Sequence, residues 1–246
     1  MVETLHATQT PFERSRSKRV EKAYAILEVV KSSGSYSSKH ELESVNGLEQ
    51  ELEDYEQVSQ RYFDVVNQYI QASIDRKNLF KGRKHSIKET AYAIKLSVSA
   101  NIKNDRTHRN DVKAIYALIL AQNPLPAPYD FAKPSLDKDI SAYLQSYHIL
   151  LVNFKELVEQ VSIHGSMIED QPYSIAHCQG LILEAETYDK QIGRLTQTIY
   201  SLYDERLGHF DLIKERCNSI WNRSRFLTGS HDPDYLLINK YKMSLR

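Results

Sequence analysis

The fold turns on residues 48–80, LEQELEDYEQVSQRYFDVVNQYIQASIDRKNLF. Leu48, Leu52, Tyr55, Val58, Tyr62, Val65 and Tyr69 recur at steps of three and four, the spacing that keeps one apolar face of an α-helix turned towards a partner. Charge agrees with this reading. Glu41, Glu43, Glu49, Glu51, Glu53, Asp54 and Glu56 crowd one end, whereas Arg76, Lys77, Lys81, Arg83, Lys84 and Lys88 crowd the other. Acids near a helix start and bases near its end both complement the backbone dipole. The spacing therefore predicts a single helix over about 39–80, a stop at Gly82 and a further helix over about 86–101.

A second stripe, Tyr188, Ile192, Leu195, Ile199 and Leu202, repeats the pattern in the other half of the chain and predicts a long helix over about 176–225. Two shorter matches share one offset. THRNDVKAI at 107–115 and SHDPDYLLI at 230–238 lie 123 positions apart, as do YAILEV at 24–29 and YHILLV at 147–152. This offset is half of the 246 residues, and the Pro-rich NPLPAPYDFAKPS at 123–135 falls at the junction. The chain thus reads as an internal duplication. Each copy has a first helix (about 16–33 and 137–162), a long helix, and a short terminal helix (about 109–121 and 232–241). The expected architecture is all-α: an elongated antiparallel helical bundle with pseudo-twofold symmetry. Residues 1–15 are expected to be a flexible N-terminal segment, 16–122 the first repeat, 123–136 a connection, and 137–246 the second repeat, packed with the first as one domain.

The repeated motif has a structural explanation at this level. Thr107 and Ser230 stand between a turn and an apolar segment, where a hydroxyl caps the next helix. Asp111 and Asp234 then favour its positive end, and Pro233 suits a first turn. His108 and His231 would be bystanders, with Ile115 and Ile238 packing inwards. The basic helical segment, turn, hydroxyl residue and short apolar helix, seen at 94–115 and 217–238, resemble duplicated all-helical bacterial proteins of unknown function. The chain departs from tighter examples in lacking Gly in the first turn, and the resemblance implies no activity.

Composition narrows the function classes. Basic and acidic residues balance at 32 each, so no global field draws the chain to nucleic acid. The two cysteines, Cys178 and Cys217, fit neither a disulfide framework nor a zinc cage, and point to a reducing cytoplasm. No apolar run approaches the roughly 18 residues of a membrane span. No phosphate-binding glycine loop, nucleophile elbow or HExxH motif occurs, and the di-iron pattern of Glu-x-x-His on two helices is not met. His177–Cys178 sets two potential ligands side by side, but adjacent helical residues diverge by about 100°, so they need ligands from elsewhere. Glu205 and His209, one turn apart, read as a solvated contact. No catalytic residue, metal ligand or cofactor is expected.

Two local features remain. Arg76, Lys77, Lys81, Arg83, Lys84 and Lys88, with Phe80 and His85 available to stack, form the best candidate for binding a phosphate backbone or other polyanion. The 16 Tyr against 7 Phe suit the hydrated margin of a protein interface. The expected function is a non-enzymatic structural or interaction subunit, such as one of a bacterial assembly, with a protein partner or homo-oligomer. The alternatives are polyanion binding through 75–88 and a small-ligand or metal bundle.

Overall fold

The computed structural model describes residues 11–128, 130–131, 136–163 and 173–242, without the side chains of 11–13, 136 and 137. Helix accounts for 84% of the described residues, with no strand among them. Seven helices occur there: α1 (Pro11–Ser32), α2 (Val45–Lys81), α3 (Ile87–Asn101), α4 (Arg106–Ala121), α5 (Leu136–Ile163), α6 (Ile175–Thr228) and α7 (Pro233–Lys240). The expected flexible segment 1–15 lies outside the described residues up to position 10, and 11–15 belong to α1.

The chain forms two compact units that do not follow its halves. One comprises Met1–Val65 and Thr198–Arg246, the other Val66–Gln197. The Pro-rich stretch 123–135, expected as a boundary, falls within the second unit.

In the first unit α1 presents Val20, Ala23, Ile26, Leu27 and Val30 to Leu48, Leu52 and Tyr55 of α2 and to Phe210, Ile213, Cys217 and Ile220 of α6. Ile238 of α7 joins the same core. Burying such apolar faces stabilises at roughly 25 cal/mol per Å² and holds these helices where their own propensity would not. α2 begins six residues later than the acidic run predicts. A 3-10 turn occupies Glu41–Glu43, and the Ser44 hydroxyl accepts from Gly47 N–H at 3.0 Å to open the helix. Gly47 itself is required by close approach: a Cβ there would lie 2.5 Å from Arg216 Nη1. That guanidinium crosses the first turn of α2 to donate to the Glu41 carbonyl at 2.6 Å.

In the second unit α4 packs on α5 and α3, and α3 also touches α5. Ile87, Ile94 and Val98 of α3, Val112, Ile115 and Ile119 of α4, and Tyr143, Tyr147, Leu150 and Phe154 of α5 are all buried. Arg76 of α2 is fully buried too. Its guanidinium lies 4.4 and 4.1 Å from the ring centres of Tyr143 and Tyr147, and its Nη1 donates to Asp189 Oδ1 at 2.5 Å.

The helix entries correct the capping assignment. α4 is capped by Asp105, whose carboxylate accepts from His108 N–H at 2.9 Å, and Thr107 lies inside the helix. α7 is capped by Asp232, which accepts from Asp234 and Tyr235 N–H at 2.9 and 3.2 Å; Ser230 stays in the preceding turn. A carboxylate at the cap carries a full charge against the helix dipole and outcompetes a hydroxyl two positions away. Asp234 is in the first turn of α7, as expected, whereas Asp111 falls beyond the first turn of α4. His108 is 2% exposed and belongs to the core of its unit. His231 is exposed.

Candidate functional site

Within the second unit, the end of α2 and the start of α6 bring together groups that are 92 positions apart in sequence. α2 stops at Lys81, and Arg83 N–H reaches back to the Asn78 carbonyl at 3.1 Å, a wide closing turn of the kind that ends helices. His85 follows with φ 60, the single non-glycine residue with positive φ among the described residues. For a side chain with a Cβ this conformation costs about 1–2 kcal/mol. It is held by contacts on both sides. His85 N–H donates to Glu89 Oε2 at 2.6 Å, and Ser86 caps α3 by accepting from Glu89 N–H. This variant of the capping box satisfies the amides of the turn and fixes where the His85 ring points.

The ring points at the first turn of α6. Ser174 accepts from His177 N–H at 3.3 Å, which sets the entry of that helix. The His85 ring meets Tyr173 edge to face at 5.6 Å between centres and His177 at 6.2 Å with the planes 85° apart. Arg83 closes one side through two hydrogen bonds to Glu184, of 2.7 and 2.5 Å. Burial, then the neighbouring His85 and Arg83, push the His177 pKa below its ordinary value, partly offset by a hydrogen bond to the backbone of His85. These contacts favour the neutral form of the His177 ring. Cys178 turns inwards, its Sγ 3.9 Å from the Tyr173 carbonyl, and burial pushes the thiol up to about 11.

The six basic residues expected to bind an anion are divided by the fold. Arg76 is spent on Asp189 and two tyrosine rings, and Arg83 on Glu184. Lys88 donates to the carbonyls of Gln122 at 2.5 Å and Leu120 at 3.4 Å, and burial beside Lys81 lowers its pKa. Lys77, Lys81 and Lys84 remain exposed. Phe80, expected to stack on a ligand, is buried against Tyr147 at 5.0 Å.

A second polar cluster, in the first unit, also escaped the sequence. Glu51 is largely buried, with His209 Nδ1 at 2.6 Å and Arg216 Nε at 3.8 Å. The Glu205/His209 pair is thereby split, since Glu205 lies 3.7 Å from Arg61 instead. The apolar spacing that locates α2 and α6 carries no record of which polar residues meet across them. Among the described residues no group of three or more His, Cys, Asp and Glu side chains could hold a metal ion, and no helix is long and apolar enough to cross a membrane. Comparison with protein-family models, with curated proteins and with solved structures finds no match to this chain.

Proposed function

We propose that the chain works without catalysis, by binding another protein through the outer face of α3 and α4. The observation that carries this reading is a row of exposed apolar side chains. Tyr92 and Leu96 on α3 and Leu120 on α4 are 47, 46 and 59% exposed, and the Tyr92 and Tyr116 rings lie 6.1 Å apart with Lys95 Nζ over both. Aromatic side chains flanked by a cation are what protein interfaces enrich. The test is a photo-crosslinking amino acid placed in the native host at Leu96 and, as a control, at the exposed Asn222. A discrete protein adduct specific to position 96, and lost on adding Tyr92→Glu, is the expected result. Equal labelling at both positions refutes the reading.

The same proposal includes an internal duplication, supported by the register of buried positions. Leu48, Tyr55, Tyr62, Tyr69, Arg76 and Phe80 are buried, and so are Cys178, Ala185, Ile192, Ile199, Arg206 and Phe210, each 130 positions later. Ile87, Thr90, Ala91, Ile94 and Val98 correspond in the same way to Ile213, Arg216, Cys217, Ile220 and Ser224, at 126. Ala23, Ile26, Leu27 and Val30 correspond to Tyr147, Leu150, Leu151 and Phe154 at 124, and Val112 and Ile115 to Tyr235 and Ile238 at 123. On this reading α6 is the counterpart of α2 and α3 together, with four residues fewer at the 82–86 turn. Arg76 and Arg206 reinforce it. Arg76 donates to Asp189 and Arg206 to Ser59 at 2.9 Å, and 59 and 189 are themselves 130 apart. The match between 24–29 and 147–152 is one residue out of this register: Ile26 is buried whereas Ile149 is exposed.

A further inference from the structure

The geometry points to a two-histidine site for a divalent transition-metal ion, formed by His85 and His177 in the second unit, with water completing the coordination. Imidazole nitrogen suits zinc, copper and nickel. With metal–nitrogen bonds of about 2.0–2.1 Å, and about 1.1 Å from nitrogen to ring centre, two imidazoles on one ion have centres about 5 to 6.4 Å apart between tetrahedral and linear angles. The His85 and His177 ring centres are 6.2 Å apart, which corresponds to an angle of about 150° or more at the ion, wider than tetrahedral, so a small rotation of either ring accompanies binding.

Three further observations support the assignment. His85 Nδ1 and His177 Nε2 are buried and have no hydrogen-bond partner among the described residues, so each ring has a nitrogen with nothing to satisfy it. An unsatisfied buried polar atom is costly, and a metal bond would remove that cost from both rings at once. Second, the backbone strain at His85 is localised where it aims a ring, and such strain concentrates at ligand sites. Third, the ring of Tyr173 packs edge to face on the His85 ring at 5.6 Å between centres and holds it beside His177.

The surroundings are compatible with a cation. The nearest fixed positive charge, Arg83, is neutralised by its two bonds to Glu184, and Glu89 accepts from the His85 amide. Cys178 is not a ligand, because its buried thiol is turned to the Tyr173 carbonyl. Two protein ligands make an open, exchangeable site. That is consistent with the absence, among the described residues, of any cluster of three or more ligating side chains.

The experiment uses the whole chain, stripped with chelator and titrated calorimetrically with zinc chloride, and separately with nickel chloride, at pH 7.5. One ion per chain is expected. His85→Asn, which retains a residue tolerant of positive φ, and His177→Gln should each weaken binding about ten-fold or more while circular dichroism stays unchanged. Binding should also fade towards pH 5, as protons compete for the imidazoles. The inference fails if no saturable site near one ion per chain appears, or if the ion binds equally well to both variants. If His177→Gln misfolds, His85→Asn decides alone. The α3/α4 surface plays no part in this test, so the two readings stand or fall separately.

Discussion

Arg76 is fully enclosed, and it shows how single residues carry the specificity of this fold. A buried guanidinium costs several kcal/mol unless its charge and its donors are met. Here ring faces cover it on two sides and Asp189 takes Nη1, which meets the charge, while Nε and Nη2 have no hydrogen-bond partner among the described residues. Glu51 in the first unit is treated alike, between His209 and Arg216. Both arrangements fix the rotation of a helix about its axis, because a small turn would strand a charge. The caps are a second residue-scale device and provide a direct test. Asp105→Ala and Asp232→Ala should each lower stability by about 0.5–2 kcal/mol, whereas Thr107→Ala and Ser230→Ala should leave it almost unchanged, as read by urea denaturation. Equal losses for hydroxyl and carboxylate variants would return the capping role to Thr107 and Ser230.

At the scale of elements, α6 is unbroken for 54 residues where the other half of the chain has α2, a turn and α3. If these are counterparts, the turn is an insertion of four residues, slightly more than one helical turn, and removing it should restore a continuous helix. A chain lacking residues 83–86 is expected to remain folded with a higher helical signal per residue by circular dichroism. Collapse to a molten state would count against the duplication. The helices themselves were legible because apolar steps of three and four are a local signal: α1, α3, α4, α5, α6 and α7 all stand where the spacing puts them, within a few residues. The start of α2 was misplaced because acids at 41 and 43 imitate a first turn, whereas they occupy a 3-10 turn ahead of Ser44. The site was not legible. His85 and His177 meet only because α2 ends and α6 begins near the same place, and nothing in GRKHS marks the positive φ that aims the first ring.

For the molecule as a whole, the two compact units each draw on both halves of the chain, and α2 and α6 each supply residues to both. The first unit is therefore not a contiguous stretch, and excising the second would cut through both long helices. Each encloses one cysteine, Cys217 in the first and Cys178 in the second, and burial raises these thiols to about 12 and about 11. At pH 8 an alkylating reagent reacts only with thiolate it can reach, so the native chain should label at both positions far more slowly than a free peptide thiol. The chain thus carries a built-in pair of clocks, one per unit, each started by the opening of its own core. Mass-spectrometric readout of carbamidomethylation across a urea series would time them separately. Because the two long helices are shared, we expect both cysteines to become reactive over the same range of urea. Labelling of one while the other stays protected would mean that either core can open without the other.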